Sequence, residues 1–333
     1  MSRIRIGSFN VRNLADGEGR DLDRIAKMIN YYHLDIVALQ EVLAEGKVIG
    51  GIDLKEPSGQ AKAYDRSLKR RLNGPWDSQW AQPVLSRENE PFRGEDRRGE
   101  GYAILWRTDK FDLPLGRWGE PYRPEILSNY NPVIAESQLR LIRDPLYARF
   151  LLKDRHVAEL RILVTHIVYG KSGALNDVID YSAAKMRQKE FDILAGQLYR
   201  RVAEYYKVQD CTSPYTVLLG DYNLNLGAYP AVPAVACFDA KGRPVDESRA
   251  KAYIYTYQTD ASTIKRDTPE YANNYDHFSF DERTRRIVRM DSIHSIDLVN
   301  KYTKSEDVTQ EQRFDRYRKE ISDHLPIMME VDL

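Results

Sequence analysis

"VLLGDYNLNL", residues 217–226, decides how the chain is read. Val217, Leu218 and Leu219 make the apolar run of a buried strand. Gly220 ends the run, and Asp221 and Asn223 follow at once. A carboxylate and a carboxamide each cost free energy when buried without a partner. Gly, Asp and Asn are turn formers, so a plain turn accounts for one such ending. A polar site at a strand's carboxyl end accounts for it equally, and the two readings part on whether other strands end the same way.

They do. Ile4, Ile6 and Ser8 alternate with polar or small neighbours in a strand that ends near Asn10. Leu22, Ile25, Met28, Ile29 and Tyr32 recur at helical spacing, which predicts an amphipathic helix over 21–32. "LDIVALQEV" (34–42) is a buried strand ending on Gln40 and Glu41. Strand, helix and strand in this order open an α/β protein. "YAILWR" (102–107) is a strand with Glu100 just ahead of it. "VIAESQLRL" (133–141) and "LRILVTHIVYG" (160–170) read as paired strands, the second ending on Thr165 and His166. A long helix is predicted over 177–206, with Met186, Phe191, Leu194 and Leu198 on its apolar side. "YDHFSF" (275–280) is short and aromatic, "SIDLVNKY" (295–302) reads as a further strand, and 307–319 as a polar helix. The chain closes on "ISDHLPIMMEVDL" (321–333), a strand entered through Ser322, Asp323 and His324. Strand signals run to the last residue with no repeat or linker, so a single domain over 1–333 is expected.

Lys+Arg and Asp+Glu both total 50, a net charge of +0 that argues against a strongly basic nucleic-acid coat protein but leaves local patches open. Hydrophobic residues at 42% and charged residues at 30% are the balance of a globular protein. No apolar run reaches the length of a membrane span, and the N-terminus lacks the pattern of a signal peptide. A cytoplasmic protein without a membrane anchor is expected, or a secreted one if a leader was removed; a monomer is favoured. Cys211 and Cys237 have no metal-ligand spacing, which sets thiolate zinc aside.

Strand ends therefore carry Asn10, Glu41, His166, Asp221 with Asn223, and Asp323 with His324. In α/β sheets, ligands collect where strands end and loops begin. Glu41, Asp221, Asp323, Asn10 and Asn223 are oxygen donors, which suit Mg²⁺, with Mn²⁺ or Ca²⁺ as alternatives, rather than zinc. Two histidines add proton-transfer groups that titrate near neutrality. A divalent ion in such a cage neutralises phosphate oxygens while an imidazole orients the attacking water, the chemistry of phosphate-ester hydrolysis.

The same residues carry a resemblance. "SFNVRN" (8–13), "LQEV" (39–42), "VTHIVYG" (164–170), "LLGDYNLNL" (218–226) and "SDHLPIMMEV" (322–331) stand in the order found in the endonuclease/exonuclease/phosphatase superfamily. "GEGYAILWR" (99–107) and "YDHFSF" resemble its deoxyribonuclease I-like branch. The resemblance implies a four-layer α/β sandwich with two central mixed β-sheets flanked by helices. It implies Glu41, Asn10 and Asp323 at the metal, and Asp221 and Asn223 at the phosphate, the attacking water or a second ion. His324 would act as base and His166 as acid, Asp276 orienting His324 and Glu100 orienting His166.

The implied activity is that of a divalent-metal-dependent DNA endonuclease with little sequence specificity. Two other readings remain: a phosphatase or phosphodiesterase on a small-molecule or lipid phosphate ester, and a catalytically silent binding protein on the same fold. One departure stands out. The family often carries a phosphate-contacting Arg two residues before a Pro, whereas "SNYNPV" (128–133) has Tyr130 there. Arg66, Lys69, Arg70, Arg71, Arg97 and Arg98 are candidate basic groups, each more simply read as a solvated charge. His33, His156, His277 and His294 lie outside the motifs and read as structural or surface residues.

Overall fold

The computed structural model describes residues 2–14, 20–43, 68–82, 100–116, 118–127, 141, 143–167, 183–205, 213–226, 254–257, 260–302 and 309–333. Tyr130, Arg66, Arg97, Arg98, Cys211 and Cys237 lie outside these residues.

The strands are β1 (Arg3–Leu14), β2 (Ile36–Leu43), β3 (Trp76–Ala81), β4 (Glu100–Arg107), β5 (Phe111–Asp112), β6 (Glu125–Ile126), β7 (Leu146–Leu152), β8 (Arg155–His166), β9 (Ser213–Asp221), β10 (Tyr255–Tyr257), β11 (Asp276–Phe280), β12 (Val288–Ser295) and β13 (Ile327–Asp332). The helices are α1 (Leu22–Tyr31), α2 (Ala183–Ile193), α3 (Tyr199–Tyr205), α4 (Glu282–Arg285), α5 (Leu298–Tyr302) and α6 (Gln310–Glu320). A π-helical turn, Leu194–Leu198, joins α2 to α3. Two mixed sheets result, one in the order β12-β13-β1-β2-β4-β3 and the other β10-β11-β9-β8-β7-β5, with β6 beside β7.

Alternation along each strand sorts side chains into layers. Ile4, Ile6, Ile36, Ala38, Ile104, Trp106, Met329 and Val331 from the first sheet meet Ala148, Phe150, Leu160, Ile162, Val217, Leu219 and Phe278 from the second. The first sheet's opposite face, with Phe9, Val37 and Leu39, is covered by Ile25, Met28 and Ile29 of α1 and Phe314 and Tyr317 of α6. The second sheet's outer face, with Leu163, Leu218 and Tyr222, takes Phe191, Leu194, Leu198, Tyr199 and Val202. Burial of these apolar surfaces is the main favourable term in folding.

Two local expectations change. The strand expected over 295–302 is helix α5, because Asp297 accepts a hydrogen bond from the Asn300 backbone N–H at 3.0 Å and caps the turn. The strand in this region lies earlier, as β12 against β13. The antiparallel partner of β8 is β7, with Leu146 opposite Val164; residues 133–140, expected in that role, lie outside the described residues.

Each sheet contains one parallel pair, β1 with β2 and β8 with β9. The carboxyl ends of both pairs carry the motif residues. Beneath the helices, Glu159 is fully buried between Arg149 (2.5 Å) and Arg161 (2.9 Å). Burial works against its charge, but the two guanidiniums outweigh this and hold the carboxyl below the usual range. A depressed pKa contributes stability that is present above the unfolded value and lost as pH falls through the folded one. Glu159→Gln, which leaves two buried cations without their counter-charge, is expected to cost about 3–5 kcal/mol at neutral pH. That difference should shrink in acid; urea unfolding at pH 7 and pH 3 reads both.

Candidate active site

The register of the parallel pairs brings the polar ends together. His166 lies opposite Asp221 across β8 and β9, and Asp276 at the start of β11 lies opposite Asp221 on its other side. Gly220 makes this close approach possible. Its φ is +136°, and a Cβ there would sit 1.9 Å from the Thr165 carbonyl oxygen.

Asn10 links the two sheets. Its Nδ2 donates to Glu41 Oε1 at 2.9 Å on the first sheet and to Asp221 Oδ2 at 3.0 Å on the second. Its Oδ1 accepts from the Arg12 backbone N–H at 2.9 Å. The reverse amide orientation would set a carbonyl against two carboxylates, so the nitrogen faces them here. In this structure Asn10 meets both carboxylates through its amide nitrogen. Glu41 interrupts the pairing of β2 with both neighbours, at left-handed φ +56°. Arg12 (φ +41°) and Asn223 (φ +50°) share that backbone region, which L-residues enter at a cost. Asn223 is held by its backbone N–H to Asp221 Oδ1 (2.8 Å) and by its Nδ2 to the Ile167 carbonyl (2.8 Å).

The two histidines each place Nε2 3.6 Å from Asp221 Oδ2. Their far nitrogens meet opposite charges. His324 Nδ1 donates to Asp276 Oδ2 at 2.8 Å. Burial opposes charge on His324, but Asp276 and Asp221 prevail and raise its pKa well above the ordinary histidine range. His166 Nδ1 instead accepts from Arg143 Nη1 at 2.6 Å. A guanidinium only donates, so the His166 proton sits on Nε2. Burial first, then Arg143 and His324, push the His166 pKa well below its usual value. Asp221 is pushed up to about 7 by burial, with Asp276 adding to the shift and His324, Asn223 and Asn10 opposing it.

Glu100 lies 3.5 Å from His166 Nδ1, beyond useful hydrogen-bond geometry, and pairs with Arg143 Nη2 at 2.5 Å. Asp323 turns its Oδ2 to Arg12 Nη1 at 3.3 Å. Around these groups, Ser322 Oγ donates to the Asn10 carbonyl at 2.7 Å, and Ser262 Oγ accepts the Asp276 backbone N–H at 2.9 Å. His277 is buried with Nε2 on the Leu224 carbonyl (2.9 Å), a structural position.

Arg143 and Ser262 were not singled out from the sequence, and Ser322 was read only as the entry to the last strand. Arg143 had a signal: "RDP" (143–145) is an Arg two residues before a Pro, directly ahead of β7. Tyr130, where the departure was read, lies outside the described residues. Ser262 carried no signal, since only the folded chain brings it beside Asp276.

One ligand atom from each of Asp221, Asp276 and His324 lies within 4.8 Å of the others. With Glu41 3.8 Å from His166, the cleft gathers buried carboxylates whose donors are oxygen and imidazole. Such a set fits a hard divalent cation.

Two mixed sheets, helices on both outer faces and a carboxylate–histidine cleft at the strand ends define an α/β-sandwich phosphoesterase. The chain belongs to the Endonuclease/Exonuclease/phosphatase family, whose model matches residues 7–233. No curated protein sequence matches it. Among solved structures it is similar to an endonuclease/exonuclease/phosphatase family protein from Leptotrichia buccalis (14% identity, TM-score 0.51, 99% of this chain and 100% of that one). It is similar to D. rerio TDP2 complexed with single strand DNA product (15%, 0.52, 100% of both chains). It is also similar to a Bacteroides thetaiotaomicron mannosyl-6-phosphatase (17%, 0.53, 99% and 100%). At these identities the likeness is one of fold.

Glu41 holds a left-handed backbone at the rim of the cleft. Glu41→Gly is expected to raise stability, by on the order of 1 kcal/mol, while abolishing activity. Thermal unfolding run beside an activity assay checks this.

Proposed function

We propose that this protein is a divalent-metal-dependent phosphodiester hydrolase that cuts DNA internally with little sequence preference. The observation that carries the hydrolase reading is the buried Asp276–His324 pair, whose Nε2 faces Asp221 in the cleft. The DNA reading draws on the deoxyribonuclease I-like segments around Glu100 and Asp276. It draws also on two guanidiniums, Arg12 beside Asp323 of the first sheet's rim and Arg143 ahead of the second sheet's β7. A substrate with phosphates on either side of the scissile one would use both.

In this reading His324, in the neutral form that a cation in the cleft would favour by offsetting Asp221, takes the proton of the attacking water through Nε2. Asp276 fixes the tautomer and raises the imidazole's basicity. Asp221 and Asn223 orient the water and a phosphoryl oxygen. His166, whose Nδ1 is occupied by Arg143, offers its Nε2–H to a phosphoryl oxygen. This replaces the acid role expected of it, because a second ring proton beside a guanidinium is unfavourable. Glu41 and Asp323 would hold the divalent ion, with Asn10 keeping Glu41 in place. When bound, the ion supplies neutralisation of charge on the phosphate and the leaving oxygen.

The purified protein is expected to nick supercoiled plasmid with Mg²⁺, to stop with EDTA, and to slow as salt rises. His324→Ala should lower the rate by about 10²–10⁴, with Asp276→Asn acting in the same direction. A chain that leaves DNA intact with every divalent ion yet hydrolyses a phosphomonoester would replace the DNA reading with the second one, a phosphatase on small esters. The net charge of +0 favours that second reading.

A further inference from the structure

Ser262, Thr263 and Ile264 run between the two loops that carry Asp276 and His324. On one side the Leu325 backbone N–H donates to the Ser262 carbonyl at 2.6 Å and the Ile264 N–H to the Asp323 carbonyl at 2.9 Å, with Thr263 bridged to His324 between them. On the other side the Ser262 N–H donates to the Asn273 carbonyl at 2.8 Å, and Thr263 Oγ1 accepts the Asn273 N–H at 2.8 Å. Helix α6 braces the segment from outside, Arg318 donating to the Lys265 carbonyl and Tyr317 Oη to the His324 carbonyl.

Ser262 is fully buried, and its Oγ accepts two successive backbone N–H groups, that of Tyr275 at 3.0 Å and that of Asp276 at 2.9 Å. In a fully extended strand, successive residues face opposite ways. Both N–H groups reach one oxygen only where the chain bends, so the hydroxyl holds a bent backbone at the first residue of β11. The Tyr275 carbonyl accepts the Tyr222 N–H at 2.8 Å, which fixes the same peptide against the end of β9. From this position Asp276 Oδ2 meets His324 Nδ1 at 2.8 Å. One residue therefore holds the backbone of the carboxylate through its hydroxyl and the backbone next to the imidazole through its carbonyl. Without the hydroxyl, two N–H groups would lose their acceptor, and the bend would relax to find others.

We propose that Ser262 is a positioning residue for the Asp276–His324 pair: it sets how the carboxylate meets the imidazole, and acts on the substrate only through them. The catalytic use of the pair rests on the hydrolase reading above, while the geometry of the pair does not.

The experiment reads the pair in two ways on the full chain. Proton NMR observes the His324 Nδ1–H, which a buried hydrogen bond to a carboxylate moves downfield of the amide signals; His324→Ala assigns it by its loss. Nicking of supercoiled plasmid with Mg²⁺, or hydrolysis of p-nitrophenyl phosphate if that is the ester the chain cleaves, gives kcat and KM. Ser262→Ala is expected to shift or broaden the resonance and to lower kcat about tenfold while leaving KM unchanged. Ser262→Cys, close in size with a weaker acceptor, should fall between. In an Asp276→Ala background Ser262→Ala should cost no further rate, as expected of residues acting through one another. Thr284→Val is the structural control. It removes another fully buried hydroxyl that accepts a backbone N–H, that of Thr216 at 3.0 Å, toward the opposite end of β9 from Asp221. It should lower the unfolding temperature as Ser262→Ala does and leave resonance and kcat in place.

The proposal is overturned if Ser262→Ala leaves the resonance and kcat where they stand in the unchanged chain. It is overturned equally if Thr284→Val moves them as far, or if the Ser262→Ala loss persists in full in Asp276→Ala. An unchanged chain without a downfield resonance would remove the pair that Ser262 is held to set. If no phosphate ester is hydrolysed, the hydrolase reading falls and the resonance alone decides for or against Ser262. If hydrolysis is found and the resonance ignores Ser262→Ala, the hydrolase reading stands and the proposal falls.

Discussion

One carboxamide governs the cleft. Glu41 ends a strand of the first sheet and Asp221 ends a strand of the second, and their negative charges would drive the two rims apart. Asn10 places one amide nitrogen between them and gives each an N–H at 2.9 and 3.0 Å. The amide oxygen is turned away from them, held by the Arg12 backbone N–H. The apolar core between the sheets supplies the attraction. Asn10 sets how closely the polar rims above that core approach.

Around this link the backbone is held in uncommon conformations. Arg12, Glu41 and Asn223 lie in left-handed space, and Gly220 lies where no side chain would fit. Such positions persist only where surrounding structure over-determines them. Here the sheets above and below do so, and the reward is that carboxylates from separate strands converge. Function needs the clustered negative charge that folding alone would disperse.

The two histidines are alike in sequence and unlike in the folded chain. Each sits at a strand end and points Nε2 at Asp221 from the same distance, 3.6 Å. Asp276 behind His324 makes it strongly basic, and Arg143 behind His166 keeps it neutral. Groups whose environments push their pKa values apart are the ones that divide acid, base and hydrogen-bond roles. No spacing rule reveals that division, because Arg143, just ahead of β7, and Asp276, at the start of β11, meet the two histidines only in the folded chain.

Legibility followed the range of the physics involved. Alternation and helical periodicity are local, so α1, α6, the β1–β2 unit and the strands ending on His166 and Asp221 could be read from residues alone. The segment 295–302 failed because its apolar pattern fits either form, and the Asp297 cap decided for helix. Arg143 was missed because the Arg-x-Pro signal has meaning only once β7 is known to start at Leu146. The sequence by itself determined the α/β class, the polar strand ends and the oxygen-rich donor set, since strand-forming patterns and donor chemistry belong to the residues themselves. The tertiary structure alone decided that Asn10 bridges two carboxylates, that Glu100 reaches Arg143 before His166, and that the histidines differ. Those facts depend on charges brought within a few ångströms in a buried cleft, where distance and desolvation, not residue type, set the energy.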